Sequence, residues 1–385
     1  MKKLALLLFV SLIAAPTAVA LDRTQTQALI RIAQKASGLK ARQHVRVVVD
    51  QPARFRQRRV LFLDRAHPRA GLEYDESVYR ALGLADAGKG ILRKTLIEMQ
   101  DRRGLYDPAA RTAFVQAGAG VRATALHEIV HALQDQHYDL RRLSRLRGDS
   151  DALRAASAVV EGHALLAANV LAAPRTVSRS RPTLTRFLEL QRGFDYTVGL
   201  RFAAELRNLG GNKALLGALG RFPATSEQVF HLDKYLERER ASPIVLPVEA
   251  AGMTLAGSDT FGELEVRALL AVFGVPRLDR AGNGWGGGRT ARYRSDGGEA
   301  VLVALDWDTE LDAREWAEAV TLYVDKAFDA ATPGPPATSE CTATSCWQIG
   351  AGAIAFDRSG SRTALVVGVD PRAAESLARL LTGRG

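Results

Sequence analysis

The chain has 385 residues, 47% apolar and 24% charged, with a formal net charge of +10 and two cysteines. That composition excludes a disordered or collagen-like chain, and the length exceeds what one small core serves, so two packed units are expected. The positive excess is mostly arginine, clustered at Arg54 to Arg59 and Arg141 to Arg147; without a nucleic-acid signature or interleaved aromatics it reads as a solvated face, with no specific nucleic-acid partner.

Residues 1–20 read as a leader: Lys2 and Lys3, an apolar run from Leu4 to Ala15, and Ala18-Val19-Ala20 as the cleavage site. The mature chain is therefore expected to begin near Leu21, to be secreted or periplasmic, and to carry +8 once the two lysines leave. No later run reaches the length of a transmembrane span. Thr24 to Leu39 has helical spacing, Val45 to Val49 and Val60 to Leu63 read as strands, and Ile91 to Met99 as a helix. Gly104 to Val115 reads as a hairpin turning at Asp107-Pro108-Ala109-Ala110. Gly118-Ala119-Gly120 breaks the chain before a helix from Arg122 to His137. Further helices are expected at Asp149 to Ala172, at Thr183 to Leu209 ending on Gly210-Gly211, at Lys213 to Leu219, and at Ser226 to Leu236 opened by Thr225 or Ser226.

Ala241 to Asp259, with two prolines and two glycines, reads as a linker or extended connection. Beyond it a smaller α+β unit is expected: helix Phe261 to Phe273, strand Val301 to Trp307, helix Leu311 to Phe328, two strands around Trp347 to Phe356 and Thr363 to Val369, and a last helix Arg372 to Leu381. Gly284 to Arg289 lacks the Lys-Ser/Thr of a phosphate loop and reads as a turn. Cys341 and Cys346 are expected to close a local disulfide, which suits an exported chain. The fold class is thus α+β: a mainly helical unit with a β-hairpin or small sheet at 21–240, then a smaller α+β unit at 260–385.

The chemistry concentrates in His127-Glu128-Ile129-Val130-His131. On a helix, positions i and i+4 share a face, so both imidazoles can reach one zinc ion while Glu128 leans toward its water. The uncharged flanks suit a helix that lines a buried site. A catalytic zinc needs a third protein ligand, and two residues offer themselves. His137 follows His131 by six residues, but Gln134 stands where a helix-breaking glycine would be needed, and a continuing helix turns His137 off the face by about 240°. Glu161 is a lone carboxylate in an apolar helical run, costly unless compensated by a metal, and is preferred.

These residues resemble the gluzincin branch of the zinc metallopeptidases, and more closely a group of secreted bacterial proteins to which a peptidase function is ascribed. The shared blocks are Gly104-Leu105-Tyr106-Asp107-Pro108, His127 to Leu140, Val160-Glu161-Gly162 and Pro223 to His231 leading to Lys234-Tyr235, with weaker likeness at Gly262-Glu263-Leu264 and Trp285-Gly286-Gly287. The resemblance implies a zincin-like first unit, Glu161 as third ligand and Glu128 as base. It departs at His163, where the pattern usually has Asp; if that Asp orients a ligating His, the role must pass elsewhere, with Asp135 and Asp139 nearest to hand.

The expectation is a zinc peptidase acting on peptide or protein substrates. His127, His131 and Glu161 hold Zn²⁺, Glu128 takes the proton of the activated water, and Tyr196 and His231 are candidates to donate to the oxyanion. A hairpin edge before the metal helix suits a substrate bound as an added strand. Two rivals remain open: a non-catalytic zinc protein whose C-terminal unit binds a cell-envelope partner, and a zinc hydrolase of a non-peptide substrate.

Overall fold

The computed structural model describes residues 21–86, 88–169, 178, 180–328, 332–333, 341–350, 352–368 and 370–384. The expected leader lies outside them. Helix α1 (Arg23–Ser37) opens with a capping box between Asp22 and Gln25 and closes on Gly38, whose φ of 72° suits a residue without Cβ. Strand β1 (Arg46–Asp50) and helices α2 (Pro52–Ala66), α3 (Arg69–Ala81) and α4 (Ile91–Glu98) follow. Val60 to Leu63, expected as a strand, lies inside α2. Four apolar residues do not discriminate between the two periods, and Pro52 at the first turn starts a helix that runs through them. Helix α3 has no counterpart among the expected elements.

The hairpin forms as strands β2 (Gly104–Asp107) and β3 (Thr112–Gln116), with β1 added in parallel to β3. The order β1-β3-β2 leaves β2 on the edge. Next come α5 (Val121–Tyr138), a 3₁₀ stretch at Leu140–Leu146, α6 (Ser150–Ala168) and α7 (Thr183–Gly220), which kinks at Gly210 and Gly211. The single helix expected over 226–236 is split at His231, whose backbone is extended, into α8 (Ser226–Phe230) and α9 (Leu232–Glu237). Helix α5 is the centre of this half: Ala125, Ile129, Val130 and Leu133 have no exposed surface and share one core with α1, α6 and the second half of α7.

The remainder is β4 (Glu249–Ala250), β5 (Met253–Thr260), α10 (Glu263–Val272), α11 (Leu278–Gly282), β6 (Trp285–Ser295), β7 (Gly298–Trp307), α12 (Glu310–Ala327), β8 (Thr332–Pro333), β9 (Ser345–Ile349), β10 (Gly352–Ser359), β11 (Arg362–Gly368) and α13 (Pro371–Thr382). Its eight strands pair antiparallel in the order β4-β5-β6-β7-β11-β10-β9-β8. Both faces are covered, which explains the unbroken apolar run in β7. Val301, Val303 and Leu305 face the core shared with α12, while Ala300, Leu302 and Ala304 face α13. Cys341 and Cys346 form the expected disulfide.

Two expectations change here. The stretch read as a linker or extended connection is irregular as far as Val248 and then is extended, not as a free linker but as β4 and β5 of the sheet. Of Gly284 to Arg289, read as a turn, Gly284 (φ 71°) lies in one, while Trp285 to Arg289 open β6. A Cβ on Gly287 would stand 2.6 Å from the Ser242 carbonyl oxygen, and one on Gly288 would stand 2.1 Å from that of Phe261. The glycines let two chain segments cross against the strand, which is a sheet use of glycine rather than a turn use.

The two halves share their packing. Leu72, Val78, Leu82 and Leu84, together with Leu92 of α4 and Leu184, Phe187 and Leu188 of α7, belong to the same core as one face of the eight-stranded sheet. Tyr323 donates to the Leu82 carbonyl at 2.8 Å and Tyr74 to that of Thr290 at 3.0 Å. The class is α+β, helical first and sheet-based second. Among the described residues no helix is long and apolar enough to cross a membrane.

Candidate metal centre

Helix α5 carries His127 and His131 one turn apart with their Nε2 atoms 3.0 Å from each other. Glu161 of α6 places Oε2 at 3.2 Å from His127 Nε2 and 3.6 Å from His131 Nε2. Two ligands at ordinary zinc distances in a tetrahedron stand ~3.3 Å apart, so the three edges have the lengths that ligands sharing one ion would need. Glu161 Oε2 is buried and has no hydrogen-bond partner, which is the condition of a ligand atom rather than of a packed carboxylate. The fit rests on a tight helix crossing: a Cβ on Gly162 would lie 2.1 Å from the Gly199 carbonyl oxygen, and one on Gly199 would lie 2.2 Å from that of Ala158. Only glycine lets α6 and α7 approach so closely.

The electrostatics favour positive charge at this point. Burial pushes the Glu161 carboxyl up, but His131, His127 and Arg102 outweigh it and hold it well below the usual carboxylate range. Burial lowers His131, yet Glu161 and Glu128 together carry it to about 9. Glu128, one residue past the first ligand, is 6% exposed, and burial raises its carboxyl. It lies flat against the backbone of β2, where a Cβ on Gly104 would meet Glu128 Oε1 at 2.2 Å.

His131 is oriented by a chain of hydrogen bonds through three helices. The His163 imidazole, pushed down to about 4 by burial and therefore neutral, is 3.1 Å from the Ser37 carbonyl through Nε2, which must donate there. Its Nδ1 is left to accept from Gln134 Nε2 at 2.8 Å, and the same amide nitrogen donates to the Val160 carbonyl at 2.9 Å. Gln134 Oε1 then accepts from His131 Nδ1 at 2.8 Å. His131 therefore keeps its Nδ1 proton on Gln134 and turns Nε2 toward Glu161; the proton that Glu161 favours on Nε2 is the one a metal ion would replace. The orienting role falls to Gln134 and not to the two residues considered for it: Asp135 accepts from the Tyr106 hydroxyl and the Leu140 amide, each at 2.8 Å, and Asp139 pairs with Arg141.

The cleft around these groups has a volume of about 510 Å³ and includes His127, Glu128, Glu161, Tyr196 and residues Gly104 to Tyr106 of the edge strand. Tyr196 stands in the cleft with the Arg102 guanidinium 5.0 Å over its ring, and Arg102 Nη1 is 3.4 Å from Glu161 Oε1. Burial raises the Tyr196 phenol far above neutrality, so it is a donor. His231 is not in the cleft: its Nε2 is 3.1 Å from Glu263 Oε1 on α10, because the break between α8 and α9 turns it toward the C-terminal sheet. His137 is also elsewhere, 2.7 Å from the Lys40 carbonyl, since α5 continues unbroken through Gln134.

A second group of acids, Glu227, Glu239 and Asp308, surrounds Lys234, whose ammonium bonds all three at 2.7, 2.8 and 2.7 Å. It is an ion-paired clamp between α8, α9 and the end of β7. Residues that sequence reasoning passed over are Gly104, Gln134, Gly162, Gly199 and Arg102. For the three glycines, a glycine inside an apolar helix or at a strand start is the one signal that was available; Gln134 and Arg102 carry none.

Residues 252–378 match a family described as Domain of unknown function (DUF8575), and no curated protein or solved structure matches the chain. The match runs from the start of β5 into α13, so it covers the sheet except β4 and none of the clustered residues His127, Glu128, His131 and Glu161.

Proposed function

We propose that the protein is an exported zinc-dependent peptidase. The observation that carries the reading is the convergence of His127, His131 and Glu161 on one point, with Glu128 held beside it and uncommitted to it. When bound, zinc supplies Lewis acidity and a water acidic enough to be deprotonated near neutral pH. Glu128 accepts that proton and returns it to the leaving amine; its raised pKa suits both steps. Tyr196 donates a hydrogen bond to the carbonyl oxygen as charge develops on it. The unpaired edge of β2 takes the substrate backbone as an added strand, which aligns the scissile bond along the cleft.

The test is Glu128→Gln, which is isosteric and leaves the three ligand atoms alone. One zinc per chain retained, with hydrolysis of a broad peptide library lost, is the expected result. Wild type and variant indistinguishable on that library, with zinc in both, would show a structural ion instead.

A further inference from the structure

Beyond the metal cleft, on the side where the chain enters β2, lies a second chamber of about 230 Å³. The two spaces share Phe62, Arg102, Gly104 and Leu105 as walls, so a chain laid along β2 passes from one into the other. The chamber is smaller than the 300–1,000 Å³ usual for a whole ligand and has room for one residue. Its walls combine apolar side chains with His67 and Gln100, and their charged members are four arginines, Arg59, Arg102, Arg154 and Arg192, against one carboxylate, Asp195.

The arginines are fixed in place and partly neutralised. Arg59 donates to the carbonyls of Gln100 and Arg102 and makes no ion pair among the described residues; its Nε is buried without a partner. Arg192 is held by the Met99 carbonyl at 2.8 Å and by Asp101. Arg154 bonds Gln191 and stands 3.8 Å from Asp195 Oδ2, beyond direct hydrogen-bond reach, while Asp195 Oδ1 is buried and unpartnered. Arg192 is ion-paired to Asp101, Arg102 reaches Glu161 at 3.4 Å and Arg154 reaches Asp195 at 3.8 Å, so among the described residues only Arg59 of the four is held by carbonyls without a carboxylate; the wall sets four cations in place against three carboxylates.

We propose that this chamber is a subsite for a carboxylate of the substrate, supplied by an acidic side chain or by a free C-terminus. The proposal rests on the peptidase reading and names the substrate class of that same cleft. Apolar walls carry the aliphatic part of the residue, and the arginines meet its charge in a partly desolvated space where the pairing is worth most.

Peptide binding to zinc-loaded Glu128→Gln protein, measured by fluorescence anisotropy, tests it without turnover. The probes are a labelled, amidated peptide with one Glu, its Gln and Lys counterparts, and the Gln peptide with a free C-terminus. The Glu peptide or the free acid should bind roughly tenfold or more tighter than the neutral amide; which of the two does so identifies the source of the carboxylate. The preference should shrink in Arg154→Gln and in high salt, and grow in the isosteric Asp195→Asn, an opposite sign that a general packing defect does not produce. Equal affinities across the set, or a preference for Lys, overturn the subsite and leave the peptidase reading standing. Failure of every peptide to bind overturns both.

Discussion

Gln134→Leu is the most informative single change, because it keeps the volume of a fully buried side chain and removes only its hydrogen bonds. His131 Nδ1–H loses its acceptor, and the tautomer that presents Nε2 to the metal point is no longer imposed. A hydrogen bond of this kind contributes about 0.5–1.5 kcal/mol, and more when it supports a charge. Loss of a metal-ligand orienter lowers metal affinity about 10- to 100-fold, or roughly 1.4–2.7 kcal/mol. Both routes reach the same size, so zinc Kd, read by competition with a chromophoric chelator, should rise by 10- to 100-fold. The apo protein should also lose stability, since the Val160 carbonyl and His163 Nδ1 are left without their donor at about 1–3 kcal/mol each; urea unfolding in chelator separates that loss from the affinity. Gln134→Glu is the control: it keeps an acceptor for His131 but donates nothing, so it should hold zinc at least as tightly as wild type while losing stability. A folded Gln134→Leu protein with a zinc Kd within twofold of wild type would refute the orienting role.

Glu161→Gln should purify without zinc while His137→Ala keeps one ion per chain, as metal analysis would record; zinc lost from the second and kept by the first would move the third ligand. Gly104→Ala should cut turnover by more than about 10² with zinc content unchanged, because its Cβ displaces Glu128 and touches no ligand. Gly162→Ala has backbone and not a flexible side chain in its way, so it should cost about 1–3 kcal/mol and loosen zinc as well, both readable in one denaturation series with and without metal. Burial, with Asp259 and Glu265 beside it, raises Asp75 to about 7, so the folded state keeps a proton there that the unfolded chain releases near pH 4. That contribution is whole in acid and lost as pH climbs from about 4 through 7; the urea midpoint should fall between pH 5 and pH 8, and fall less in Asp75→Asn.

Several of these residues were open to a reader of the sequence alone and others were not, for physical reasons. His127, Glu128 and His131 declare themselves by spacing on one apolar helix. Glu161 does so by being an uncompensated carboxylate among alanines and valines. The hairpin shows through the turn chemistry at Asp107-Pro108. Gln134 gives no such sign: in sequence it is a good helix former, and its use appears only when Val160 and His163 arrive from α6 and Ser37 from α1. His231 looked equally available, but its partner Glu263 lies on a helix 32 residues later. Helix α3 is different: Leu72, Val78, Tyr79 and Leu82 recur at helical spacing on its packed side, a signal that lay in the sequence and went unread.

The position of the eight-stranded sheet bears on the cleft itself. Helix α7 begins with Leu184, Phe187 and Leu188 in the core of the sheet and continues with Phe194, Phe202 and Leu206 in the core around α5, so one rigid element spans both. Tyr196 and Asp195 sit where it passes from one core to the other, as part of the cleft and of the arginine-walled chamber. From the same stretch Arg192 grips the chain at Met99 and Asp101, and Arg59 grips it at Gln100 and Arg102, immediately before β2 begins. The edge strand that would take the substrate is therefore set by a helix anchored in the sheet, not by the hairpin alone. As the edge of a three-stranded sheet β2 is paired on one side only, and an edge that must align a peptide against fixed ligands tolerates little motion. On this account the C-terminal half need touch no substrate to matter, because it holds α7 and the segment before β2 in the register that the metal residues require.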